Sequence, residues 1–265
     1  MSAVLTRLEN WVLNGASILM TVHEGMEERL AARGISARTR RLGFGIDTDV
    51  FRPDGRRVET SGPLFVYAGT ASEVHGAEIF VEAFKTVLEH EPGAQLVFIG
   101  QGESFATIRE QAETLPDGAV KVLGRKSPEQ TAIWLRSAVA ALASVKPGPY
   151  SFAFPTKAFA SAACGTPVIY AGASRAGEEV VREGLGTAVA YDADALAAAM
   201  IDAVGAARAD AAAAAASALK GGSATATRRA ADLRTWALEH VSARSLGRVA
   251  AAIATEILST SRSRR

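Results

Sequence analysis

Three observations predict an α/β fold, a doubly wound parallel sheet of Rossmann-like type with N- and C-terminal helices. From Pro63 onward, short β-rich runs alternate with stretches of helical composition, the pattern of successive βαβ units. The runs are apolar almost throughout, as strands covered on both faces are. Glycine opens each of the segments that follow the first three strands, Gly69–Gly76, Gly100–Glu103 and Gly124–Ser127. With Val145–Thr156 these line one crevice, because ligands of such sheets bind beyond the carboxyl ends of the strands.

In chain order, the first 60 residues read as a helix over Val4–Asn14, a strand over Ser17–Val22, a helix over Glu24–Arg33, an extended run Ala37–Leu42 and the turn-rich GFGIDTDVFRPDG. They are too few to form a second nucleotide-binding half. Residues 61–205 carry six strands: Leu64–Ala68, Ala94–Ile99, Val120–Leu123, Val139–Ser144, Pro167–Tyr170 and Thr187–Tyr191. Between them Ala77–His90, Ser104–Thr114, Pro128–Ser137, Thr156–Cys164 and Glu178–Glu183 have helical spacing, so each crossover holds a helix. After Ala193 alanine-rich helix runs to about Ala218, Gly221–Gly222 break it, and helix resumes through Trp236 to about Leu258, making 206–265 a helical extension.

Composition narrows the function. The 265 residues are 48% hydrophobic and 22% charged, enough for a sizeable core. Twenty-nine basic and 28 acidic side chains give a net charge of +1, which lacks the electrostatic footprint of a nucleic-acid binder. Cys164 is the one cysteine, so no internal disulfide forms, and without a Cys or His cluster no metal site is expected. No apolar run approaches the roughly 18 residues that span a bilayer, and Arg7 and Glu9 interrupt any signal-peptide core. The expected location is cytoplasmic, with peripheral contact to a membrane surface left open.

The most informative segment is FPTKAFASAACGTPVIYAG, Phe154 to Gly172. Pro155 suits the opening of a helix, Gly165 its end, and Pro167 leads into a buried strand. Unpaired N–H groups at such a helix start favour an anion, while Thr156 adds a hydroxyl and Lys157 a cation, so the segment reads as a phosphate seat. Thr156 serves equally well as a helix cap. His75 is either a donor to phosphate or a loop residue. Gly69, Gly100 and Gly102 permit close approach of backbone to a ligand, although turns after parallel strands call for glycine in any case. Gly124, Arg125 and Lys126 lie beyond a strand end and face the crevice or solvent. Glu178 and Glu179, in the first turn of a helix, complement its dipole. The spacings of a dinucleotide fingerprint, a P-loop and a nucleophile elbow are absent.

In order along the chain, these segments resemble the donor-binding half of family-4 retaining glycosyltransferases of GT-B architecture. GFGIDTDVFRPDG is similar to the family's hinge, VYAGTASEVHGAEIFVEAF to its first donor-domain strand, loop and helix, and QLVFIGQGE to its Gly-x-Gly loop. VKVLGRKSPEQTAIWLRSA resembles the next strand and helix, and FPTKAFASAACGTPVI the Pro-Ser-Lys pattern with its following Ala-x-Gly-x-Pro-Val. The resemblance spans about Ser17 to Tyr191. It implies a nucleoside-diphosphate sugar as donor, no cofactor and no metal, with Thr156, Lys157, His75, Thr70 and Gly69 at the diphosphate, and for Glu178 and Glu179 an approach to the donor sugar instead of a dipole role.

Three departures accompany it. The two glutamates that family members place seven residues apart align with Phe152 and Ala160, and the usual Arg and Lys of the first loop align with Thr70 and His75. Residues 1–60 resemble only the end of an acceptor domain. The expectation is therefore a sugar-transferring donor half that uses a separate acceptor-domain protein, or a second copy of itself. A non-catalytic relative that keeps the fold is the alternative, and an epimerase of similar architecture a third reading.

Overall fold

A computed structural model describes residues 3–35, 37–148, 156–172, 175–219 and 228–262. In chain order the elements are α1 (Ala3–Asn14), β1 (Leu19–Thr21), α2 (Glu24–Ala32), β2 (Thr39–Arg41), β3 (Leu64–Thr70), α3 (Ile79–His90), β4 (Gln95–Gln101), α4 (Phe105–Ala112), β5 (Val120–Val122), α5 (Pro128–Ser137), β6 (Ala140–Ser144), α6 (Lys157–Ala163), β7 (Val168–Ala171), α7 (Arg175–Arg182), β8 (Gly186–Val189), α8 (Ala193–Leu219), α9 (Arg228–His240) and α10 (Ala243–Arg262). They fall into two units, Asp47–Leu238 and Met1–Ile46 with Glu239–Arg265.

The larger unit holds the six-stranded parallel sheet, in the order β5-β4-β3-β6-β7-β8. Counted from β3 this is 3-2-1-4-5-6, so the order reverses between β3 and β6 and opens a crevice beyond their carboxyl ends. β3 shows why both faces are covered. Phe65 and Tyr67 point into one core with Phe80, Phe84, Phe98, Ile108 and Met200, while Leu64 and Val66 point into another with Val97, Ile99, Leu135 and Cys164. Burial pushes the Cys164 thiol up to about 12, as expected of a small core residue. On one face α3 packs against α8.

Local signals account for the helices that frame the crevice. Ser127 caps α5 reciprocally: its hydroxyl accepts from the Gln130 N–H while the Gln130 side chain accepts from the Ser127 N–H, and Pro128 begins the helix. α6 ends at Ala163, and beyond the turn at Gly165 the Thr166 N–H turns back to the Ser161 carbonyl. Two expectations change. α7 begins at Arg175, before Glu178, and the last helix is interrupted at Val241–Ser242, leaving α9 and α10. At that interruption Ile46 pairs with Ser242, whose hydroxyl accepts from the Ser245 N–H and starts the next helix.

In the smaller unit β1 and β2 pair in parallel, Leu19 to Thr39 through Thr21 to Arg41. Glu256 of α10 binds both Arg38 and Arg40, and Glu27 of α2 binds Arg41 and the Thr21 hydroxyl. α1 is turned the wrong way for a free surface helix. Its partly buried positions are Thr6, Asn10 and Leu13, whereas Val4, Leu5, Leu8, Trp11 and Val12 are exposed.

Candidate functional site: a cationic cleft at the strand ends

β3 ends in Tyr67-Ala68-Gly69-Thr70, and the site is built around that end. Tyr67 is buried with its ring 5.7 Å from Phe80 and 5.6 Å from Phe98, centroid to centroid. Its hydroxyl donates to the Thr70 carbonyl at 2.7 Å, as a buried phenol requires. Lys157, the first residue of α6, reaches across the strand end. Its Nζ donates to Tyr67 Oη at 2.6 Å and lies 4.0 Å from the centre of the Tyr67 ring, a cation–π contact.

Glycine makes this approach possible. A Cβ on Gly69 would stand 3.1 Å from Lys157 Cε, and a Cβ on Gly100 would collide with the Gly69 carbonyl. Gly100 also has φ +143°, a conformation open to glycine. Its N–H donates to the Gly124 carbonyl at 3.1 Å, which ties the loop after β5 to the end of β4.

Together these residues enclose a cleft of about 340 Å³ lined by Phe51, Ala68, Gly69, Thr70, Ile99, Gly100, Gln101, Arg125, Lys126, Pro128, Thr131, Leu135, Lys157 and Ala160. Among the described residues the lining carries three basic side chains, Arg125, Lys126 and Lys157, and no carboxylate. Burial pulls the Lys157 ammonium down to about 7. His75, half-buried with Nδ1 2.9 Å from Ser72 Oγ, is pulled down to about 4 by burial and then by the Lys157 charge, and so is neutral near pH 7. Burial, reinforced by the negative charge of Glu78, pushes the Tyr67 phenol upward.

The sequence-predicted residues separate into groups. Gly69, Thr70, Gly100, Arg125 and Lys157 line the cleft, and His75 is close enough to feel the Lys157 charge. Gly102 serves packing, since a Cβ there would collide with the Ala71 carbonyl, and Gly124 supplies the carbonyl that holds Gly100. Thr156 is exposed, has helical backbone angles and makes no side-chain cap bond. Glu178 lines a different, shallow depression with Gly172, Arg175 and Arg182, and Glu179 is its neighbour on α7. Ala160 faces the cleft. Phe152, Phe154 and Pro155 lie outside the described residues. Tyr67, Gln101 and Thr131 join the site without having been singled out in the sequence. For Tyr67 the signal was a hydroxyl in an otherwise apolar run, which must find a partner.

A doubly wound sheet with a cleft at its switch point defines an α/β protein of the Rossmann-like class. Residues 62–205 match the family model described as Glycosyl transferases group 1, and the chain belongs to that family. Its fold is that of GT-B glycosyltransferases, as three solved structures show. Sucrose-phosphate synthase (tll1590) from Thermosynechococcus elongatus superposes with a TM-score of 0.72 at 21% identity, over 98% of this chain and 63% of the other. A glycosyltransferase from Rickettsia africae ESF-5 gives 0.74 at 16% identity, over 97% and 68%. Anabaena Alr3699/HepE, solved in complex with UDP and glucose, gives 0.71 at 16% identity, over 98% and 68%. The chain thus spans about two thirds of the length of these structures. No curated protein sequence matches it significantly. Among the described residues no helix is long and apolar enough to cross a membrane.

Proposed function

We propose that the chain is the donor-binding part of a retaining family-4 glycosyltransferase and binds a nucleoside-diphosphate sugar in the cleft at the ends of β3 and β4. The observation that carries this reading is the lining itself, which among the described residues holds Arg125, Lys126 and Lys157 and no carboxylate. A diphosphate leaving group suits such a place. As the bond from the anomeric carbon to the diphosphate oxygen breaks, negative charge grows on that oxygen, and fixed cations and N–H groups stabilise it. The acceptor oxygen bonds to the anomeric carbon on the face the diphosphate leaves, and its proton passes to the departing phosphate. No resident metal is assigned to the step. The complex of Alr3699/HepE with UDP and glucose supports a nucleotide of this class.

The acceptor, in this proposal, is held by a second polypeptide or a second copy of the chain, because transfer needs the second reactant held in line. The exposed apolar face of α1 supports such a partner. We assign the reaction to the cytoplasm, where one buried cysteine needs no oxidising environment. Titration of the protein with UDP, GDP and ADP by calorimetry tests the nucleotide reading. Lys157→Ala is expected to weaken the diphosphate by ten- to a hundredfold, the worth of a hydrogen bond to a charged group, and to leave the nucleoside unchanged. Equal loss for both would remove the diphosphate from Lys157.

A second reading has its own observation. Ala160 faces the cleft at the position where the family's ribose-holding glutamate aligns, which favours a relative that keeps the fold without turnover. Folded protein that binds none of the three nucleotides would establish that reading.

A further inference from the structure

We propose that Tyr67 is a positioning residue that holds the Lys157 amine at the cleft wall as a proton-accepting group, charged when a nucleoside diphosphate arrives. The inference rests on the nucleotide reading above and assigns its regulation by pH. The hydrogen-bond directions are fixed. The one proton of Tyr67 Oη goes to the Thr70 carbonyl at 2.7 Å, so toward Lys157 Nζ at 2.6 Å the phenol only accepts. Lys157 therefore gives one N–H to Tyr67 and keeps the rest of the amine for the cleft.

Among the described residues Lys157 has no carboxylate partner. His75 from the loop after β3, which is neutral, feels the Lys157 charge, and Arg125 and Lys126 from the loop after β5, which share its sign, line the same cleft. Glu78, at the start of α3, acts on Tyr67. The Tyr67 ring at 4.0 Å offsets part of the cost of the ammonium, and burial leaves the group titrating near 7. A diphosphate entering the cleft adds the missing anion and draws a proton from solvent onto Nζ.

The consequence is proton-linked binding. At pH 8 the phosphates of a nucleoside diphosphate are already ionised, their last pKa being near 6, so uptake at that pH reports the protein. Binding is expected to take up most of a proton at pH 8, with affinity falling by up to about tenfold per pH unit above the pH at which Lys157 titrates. His75 titrates several units lower, outside this window.

Calorimetry of UDP, GDP and ADP in Tris and in Hepes, whose ionisation enthalpies differ, measures the uptake directly. Lys157→Arg supplies a cation that does not titrate, and should bind with no uptake and no dependence on pH between 7 and 9. Tyr67→Phe keeps the ring and removes the acceptor, which disfavours the ammonium and should shift the affinity profile to lower pH. A nucleotide that binds wild-type protein without proton uptake overturns the linkage. A Tyr67→Phe profile that is unchanged, or moved to higher pH, overturns the role of Tyr67, and if that variant does not fold the Lys157→Arg comparison still decides the linkage. Failure of all three nucleotides to bind removes the nucleotide reading and this inference together.

Discussion

At Lys157 burial and charge oppose each other, and stability should record the conflict. In an unfolded chain the amine titrates near 10.4, and in the fold near 7. Between those values the unfolded chain holds more protons, so the unliganded protein gains stability as pH rises from about 7 toward 10 and carries the full penalty below 7. Lys157→Met removes the titrating group. Thermal melts at pH 6, 8 and 10 should show the variant more stable than wild type at pH 6 by a margin that shrinks as pH rises. A margin independent of pH would mean that the lysine is not held as the structure shows. The place of this residue was legible because a strand, a loop and a helix start in that order put a cation beside a crevice. Its actual partner was not, because Tyr67 lies 90 residues earlier, and only the pairing of β3 with β6 brings the ends of those strands near α6.

Among elements, α5 shows how the cleft is kept in shape. Its first turn supplies Pro128 and Thr131 to the lining, and its last turn carries Arg136, which is buried and donates to the Arg52, Arg56 and Val50 carbonyls at 3.0, 3.2 and 3.3 Å. One side chain thereby fixes the segment that bears Phe51, another lining residue. Arg136→Met preserves much of the apolar stem but leaves three carbonyls without their donor. We expect a loss of about 3 kcal/mol or more, read as a lower denaturation midpoint at unchanged slope, together with weaker nucleotide binding. A loss below about 0.5 kcal/mol would show that the three bonds are replaced by water. The bounds of α5 were readable to the residue, since Ser127, Pro128 and Gln130 state the cap locally. The division of α9 from α10 was not, since Val241–Ser242 contains neither glycine nor proline and is set by the bridge from Ile46, nearly 200 residues away in sequence.

For the molecule as a whole, charge and apolar exposure are distributed unevenly between the two units. Residues 1–46 and 239–265 contain eleven arginines and six glutamates, whereas the larger unit carries the balancing excess of acid. The same smaller unit has α1 facing outward with Leu8 56% and Trp11 74% exposed, along a stripe completed by Val4, Leu5 and Val12. These positions follow helical spacing, 4, 5, 8, 11 and 12, so they share one face, while Thr6, Asn10 and Leu13 are the positions turned inward. Arg33 reinforces that orientation by donating to Asn10 and pairing with Glu9. An apolar stripe left in water favours association, and β1 with β2 makes a two-stranded parallel sheet, a form that gains stability from further strands or a covering layer. In the proposed function this stripe is where an acceptor-side partner docks. Leu8→Lys with Trp11→Lys alters only exposed side chains and should change stability by no more than about 0.5 kcal/mol each. It should abolish binding of an apolar dye, and light scattering should report a monomer at concentrations where the wild-type chain associates. If dye binding and association persist in the double variant, the docking face lies elsewhere and α1 has no part in assembly; if the variant unfolds, the outward placement of α1 is itself wrong.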